Sequence, residues 1–157
     1  MYSLDTSLFM DWQARYYPPD IFVSLQQNME RLIQAGEGRA VELVREEINA
    51  VGPPDLQAWA TNISGLFVPM SADIQQAGGL IEARYPDLMD PRGLHESADA
   101  FVIALAQLNN GVVVSQETSA LEKTRSRRTH FIPDVCRDLG IPCINLLGLM
   151  RRENWRF

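Results

Sequence analysis

The chain has 157 residues, with 14 lysines and arginines against 20 acids and a formal net charge of −6. That length accommodates one domain, residues 1–157, whose core needs neither disulfides nor a structural metal, and the acidic balance argues against nucleic-acid binding through a generally basic surface. No apolar run reaches membrane-spanning length and no basic segment leads into an apolar signal core, so the expected location is the cytoplasm with no membrane partner.

Residues 2 to 5 read as a short strand ending on Asp5, with Thr6 and Ser7 behind it. A loop rich in aromatics and proline follows, in which Trp12, Tyr16 and Tyr17 either stack on unpaired bases or anchor the loop to the core. Ile21, Phe22, Leu25, Met29, Leu32 and Ile33 then recur at helical spacing until Gly36 and Gly38 stop the helix near residue 35. A second strand at 39 to 42 leads into a helix carrying Leu43, Val44, Glu47 and Ile48, which ends at Gly52-Pro53-Pro54. Another helix, 55 to 64, precedes the strand-like Leu66 to Met70. Residues 71 to 85 read as helix despite Gly78-Gly79, with Ser71 as cap.

Farther along, His95 to Leu108 has strong helical periodicity, and Gly111 to Ser115 is the clearest buried strand. The loop from Lys123 to His130 holds four formal positive charges. A helix at 133 to 139 and a strand at 141 to 146 complete the core, and Leu147 to Met150 begin a tail. Cys136 and Cys143 match neither a zinc nor a redox spacing and read as buried reduced thiols. Phosphate-loop, dinucleotide and nucleophile-elbow motifs are missing.

Alternating strands and helices predict an α/β sandwich with a mostly parallel sheet and right-handed crossovers. Ligands of such sheets bind beyond the carboxyl ends of the strands, at a switch in strand order. Asp5 and Glu117 follow two of the strongest strands, and Glu47 and Asp99 stand at comparable transitions. Four carboxylates together require a cation, and an all-oxygen set suits Mg²⁺ or Mn²⁺. Thr6, Ser7, Ser115 and Thr118 are placed to orient acids or waters, while Arg125, Arg127 and Arg128 are placed to hold substrate phosphates. Each acid also has an ordinary role open to it: Asp5 and Asp99 as helix caps, Glu47 as a solvated neighbour of Glu46, Glu117 as a turn residue.

Asp5-Thr6-Ser7 after the first strand, Glu47-Ile48, Ser97-Ala98-Asp99-Ala100 opening an apolar helix, and Val112-Val113-Val114-Ser115-Gln116-Glu117 together resemble the PIN domain. Ile132-Pro133-Asp134-Val135-Cys136 followed by Gly140-Ile141-Pro142-Cys143 is similar to a PIN-like subfamily found as toxins of toxin–antitoxin pairs. The resemblance implies a three-layer α/β/α fold and Mg²⁺- or Mn²⁺-dependent cleavage of RNA to 5′-phosphate and 3′-hydroxyl ends. It also implies an antitoxin partner and a homodimer, for which Trp12, Tyr16, Leu149, Met150 and Trp155 offer apolar surface unless they complete the core. By the same resemblance Asp5, Asp99 and Glu117 hold the principal cation and Glu47 fixes a water or second ion. Asp134 either joins that edge or caps the next helix, and Glu46 competes with Glu47. The competing expectation is a catalytically weak PIN-like module that binds RNA or protein; a phosphatase is disfavoured, since Asp5 lacks the second aspartate of an Asp-x-Asp pattern.

Overall fold

The computed structural model describes residues 1–89, 97–124 and 128–157. The chain forms β1 (Tyr2–Leu4), α1 (Thr6–Phe9) running straight into a π-helical stretch (Met10–Tyr16), α2 (Val23–Gln34), β2 (Gly38–Val41), α3 (Glu42–Val51) and α4 (Pro54–Asn62). There follow β3 (Phe67–Val68), α5 (Ala72–Arg84), α6 (Asp99–Leu108), β4 (Val112–Val114), α7 (Ile132–Leu139), β5 (Cys143–Ile144) and α8 (Leu146–Arg152). The strands make one parallel sheet of order β3-β2-β1-β4-β5, and with helices packed around it the fold is a three-layer α/β/α sandwich.

That order explains the sequence pattern. After β3 at one edge, the chain returns through α5 and α6 and enters β4 on the other side of β1, so the switch point falls between the neighbouring strands β1 and β4. Both are covered on both faces, and Tyr2–Leu4 and Val112–Val114 are buried at every residue, which is why they read as unbroken rather than alternating strands. Ser3 pairs with Arg39 of β2 and Val113 of β4. Its buried hydroxyl donates to the Val102 carbonyl at 2.7 Å, fixing α6 against the sheet. Residues Ala100 to Ala106 of α6 are all buried because α5 covers what the sheet leaves.

Several boundaries differ from expectation. The aromatic loop is helical through Tyr16: Trp12 is fully buried, edge-on to Trp59 at 5.2 Å between ring centroids, and belongs to the core rather than to a base-stacking surface. The tail is helix α8, capped by Asn145 accepting the Gly148 N–H at 2.8 Å, and Leu149 and Met150 complete the chain's own core, with Trp155 packed against it. Tyr16 stays exposed. The expected strands 66 to 70 and 141 to 146 shrink to two residues each because their ends turn into loops and caps. Cys136 is buried, Cys143 half-buried, and both are free. Arg125, Arg127 and the expected helix start at His95 lie outside the described residues. Among the described residues no helix is long and apolar enough to cross a membrane.

Candidate functional site

β1 and β4 end side by side, and their exits build the centre of the site. Asp5 leaves β1 with extended backbone, its N–H donating to the Val114 carbonyl at 3.0 Å, and caps α1 by accepting the Ser7 N–H at 3.3 Å. The side chain is 3% exposed. It also accepts the hydroxyls of Ser7 and, at 2.9 Å, Ser115. Each serine passes the bond on: Ser7 Oγ accepts the Gln116 N–H at 2.9 Å and Ser115 Oγ the Glu117 N–H at 3.1 Å. The loop leaving β4 is thereby tied to the acid leaving β1.

The other acids arrive from three further segments. Glu47, midway along α3, accepts the Thr6 hydroxyl on one oxygen and the Ala98 N–H at 2.8 Å on the other, joining α3 to the starts of α1 and α6. Its neighbour Glu46 is exposed. Asp99 occupies the first turn of α6; Ala98 holds the cap position, so the Asp99 carboxylate does not cap this helix and lies 3.8 Å from the Arg128 guanidinium. Glu117 accepts the N–H of Ile132, the first residue of α7, at 3.0 Å. With Thr6 and Ser7, the four carboxylates line one cleft of about 290 Å³, walled also by Met10, Arg15 and Val51.

Crowding of like charge away from water makes ionisation costly. Burial holds Asp5 above the ordinary carboxylate range despite its serine bonds. Burial also raises Asp99 well above that range, reinforced by repulsion from Asp5, Glu117 and Glu47. Glu117 is raised by burial and by Asp5, against the Ile132 N–H, Arg128 and Lys123. Glu47 is raised by burial, which outweighs its bonds from Thr6 and Ala98, with Asp5 and Glu117 adding repulsion. Such a group favours a proton or a cation, and its donors are all oxygen, the chemistry of Mg²⁺ and Mn²⁺. Among the described residues no group of three or more acidic, histidine or cysteine side chains is already arranged to hold a metal ion. The bonds from Thr6, Ala98 and Ile132 keep Glu47 and Glu117 on the cleft wall.

Asp134 sits away from the cleft lining. It accepts the Ser119 hydroxyl, the Ala120 N–H at 2.8 Å, the Phe131 N–H at 3.0 Å and Arg137 at 2.9 Å. Burial pushes its carboxyl up, but these donors outweigh burial and hold it below the ordinary range. It serves as the tie between the β4 exit loop and the start of α7, which carry Glu117 and its Ile132 donor. Arg128 is similarly engaged: it donates to the carbonyls of Asp87, at 3.0 Å, and Leu88. Its guanidinium lies 4.5 Å from the Phe131 ring centroid, with Lys123 Nζ at 3.1 Å over the same ring.

Met10, Arg15 and Gln116 also belong to the site, and none of them is among the residues nominated from sequence. Gln116 accepts the Leu146 N–H at 2.8 Å and donates to Asp11 at 3.3 Å, linking α8 and the π-helical stretch to the site. Its place between Ser115 and Glu117 was the available signal. Among curated proteins none matches the chain. The family described as Domain of unknown function (DUF4411) matches residues 2–157, which carry the sheet and all four acids, and the chain belongs to that family.

Proposed function

We propose that the chain is a PIN-like, Mg²⁺- or Mn²⁺-dependent endoribonuclease and the toxin of a toxin–antitoxin pair. The observation carrying this reading is the cleft itself: acids from four separate segments line one cavity at the switch point of a parallel sheet, and each is raised by burial. In this reading Asp5, Asp99 and Glu117 would hold the ion once their side chains close on it, and Glu47 would orient water. A bound divalent ion supplies Lewis-acid neutralisation for phosphodiester hydrolysis. The serines Ser7 and Ser115 keep Asp5 aimed, and Thr6 does the same for Glu47. Arg128 stands beside Asp99 with a positive charge for an incoming phosphate, and Arg125 and Arg127 are assigned the same role from sequence.

The test is cleavage of single-stranded and structured RNA by purified protein with Mg²⁺ or Mn²⁺, beside Asp5→Asn and Asp99→Asn. The reading requires metal-dependent cleavage that both variants abolish; inactivity of the wild type on every RNA rejects it. Co-expression with an adjacent small reading frame tests the antitoxin, and sedimentation the homodimer.

A second reading, a PIN-like module that binds RNA or protein without cutting, draws support from the engaged oxygens of Glu47 and Glu117. Metal titration separates the two: the enzyme binds a divalent ion in a manner that Asp5→Ala or Asp99→Ala weakens, and the module does not.

A further inference from the structure

The π-helical stretch Met10–Tyr16 brings a cation to the acidic cleft. Its backbone bonds reach five residues back, as where the Tyr17 N–H donates to the Trp12 carbonyl at 3.0 Å. Met10 and Arg15, five positions apart, therefore stack on one face, and both wall the cleft. At α-helical pitch the same step would rotate Arg15 by about 500°, roughly 140° past a full turn, and carry it off that wall. Such helices are rare and recur at functional sites. Among the described residues lining the cleft, Arg15 is the one basic side chain beside Asp5, Glu47, Asp99 and Glu117.

Four crowded carboxylates should draw a guanidinium onto themselves, yet among the described residues Arg15 pairs with Asp11 instead, at 2.9 Å. Asp11 is anchored in turn. Its second oxygen accepts the Gln116 side-chain amide at 3.3 Å, the Gln116 backbone N–H donates to Ser7 Oγ at 2.9 Å, and Ser7 donates to Asp5. A continuous chain of hydrogen bonds from Asp5 to Arg15 thus fixes the cation beside the acids without putting it in the place of a metal ion. The Arg15 side chain is 59% exposed and gives one nitrogen to Asp11, so the rest of its donor fork stays open. An exposed pair of this kind is weak, and a phosphate, which the fork fits, can share the guanidinium. A nucleic-acid strand carries phosphates in succession, so one can meet an ion held by the acids while its neighbour meets Arg15. A single acidic side chain of a partner protein offers no such series.

We propose that Arg15 is a substrate-binding residue whose guanidinium holds a phosphate flanking the scissile one on an RNA strand, with Asp11 and Gln116 as the residues that position it. The proposal rests on the reading of the cleft as an RNA site, and its test separates RNA binding through Arg15 from RNA cleavage.

The probe is a fluorescein-labelled 12-nucleotide oligouridylate, bound to the full chain with Ca²⁺ in place of Mg²⁺ and followed by anisotropy across a salt series. Arg15→Ala, at an exposed position and with unchanged Tm, should weaken binding by about tenfold and flatten the slope of log K against log salt by about 0.7, the share of one single-strand phosphate contact. A neutral methylphosphonate is then moved along the oligonucleotide one linkage at a time. At one linkage it should cost the wild type about what Arg15→Ala costs and cost the variant nothing further. Equal affinity and slope for the two proteins, the same methylphosphonate cost in both at every linkage, or no binding by the wild type overturns the proposal. Cleavage in Mg²⁺ that Arg15→Ala leaves intact in KM and kcat removes Arg15 and keeps the nuclease. RNA held through Arg15 but never cut keeps Arg15 and removes the nuclease.

Discussion

Ser115 donates its hydroxyl to Asp5 at 2.9 Å across 110 positions of sequence, and the same oxygen accepts the Glu117 N–H at 3.1 Å. One small side chain thus positions two of the four acids, and it does so where the chain leaves the central pair of strands. Ser115→Ala should cost about 1.5–3 kcal/mol, the usual worth of a hydrogen bond to a charged group. Divalent-ion affinity should fall with it, because Asp5 loses a donor that favours its ionised form. Urea denaturation and metal titration measure the two effects. A stable variant with unaltered ion affinity would show that Ser7 alone is sufficient to hold Asp5.

The acids also set a direction for the pH dependence. Asp5, Glu47, Asp99 and Glu117 are raised in the folded chain, chiefly by burial, and return to ordinary values on unfolding. Between those values the folded state binds more protons than the unfolded one, so their contribution falls as pH rises through the window and the penalty is complete above it. Ion-free protein should therefore gain stability on mild acidification from neutrality. Asp99→Asn should melt higher than wild type at neutral pH, each 1 kcal/mol gained appearing as about 2–4 °C, and the gain should vanish as pH drops into the ordinary carboxylate range. Thermal melts across pH check this, and parallel curves for the two proteins would contradict it. Saturating Mg²⁺ should narrow the difference by stabilising wild type.

Asp134 has the opposite sign. Its carboxyl is held low by four donors against the pull of burial, so its contribution is present above the unfolded value and lost as pH falls through the folded one. Asp134→Asn should cost about 2–3 kcal/mol at neutral pH, shrinking in acid as wild type protonates. Because this tie holds the loop between Glu117 and Ile132, spectra should move at Glu117 without a new contact there. Denaturation at two pH values distinguishes this from a pH-independent packing loss.

How far the sequence could be read depended on the range of the interactions concerned. The run into β4, the period of α2 and the Ser71 cap, which accepts the Ile74 N–H at 3.3 Å, are local and were legible. The helix from Thr6 to Tyr16 was not: its aromatics and the prolines behind it read as a loop, and only packing of Trp12 on Trp59 decides for helix. Helix α8 was missed because it is short and contains Gly148. The acids could be nominated from their places after strands and at helix starts. Which of Glu46 and Glu47 faces the cleft depends on the Thr6 and Ala98 contacts, remote in sequence. The same holds for Arg128, whose donors meet Asp87 and Leu88 about 40 positions away.

Gly78 and Gly79 offer a test of the packing that supports the site. Both lie inside α5, where glycine is a poor helix former relative to alanine by about 1 kcal/mol. A Cβ on Gly79 meets nothing within 4 Å, whereas one on Gly78 would fall 2.3 Å from Cδ1 of Phe101 in α6. Gly79→Ala should therefore stabilise the chain by about 0.5–1 kcal/mol. Gly78→Ala should destabilise it by about 1–3 kcal/mol, because overpacking exceeds the gain in helix propensity. Phe101 follows Asp99 by two residues, so the shift forced on α6 should also reach the cleft and lower divalent-ion affinity, while Gly79→Ala leaves it unchanged. Chemical denaturation ranks the stabilities and metal titration reads the cleft. Equal effects of the two substitutions would mean that α5 and α6 do not pack through Gly78.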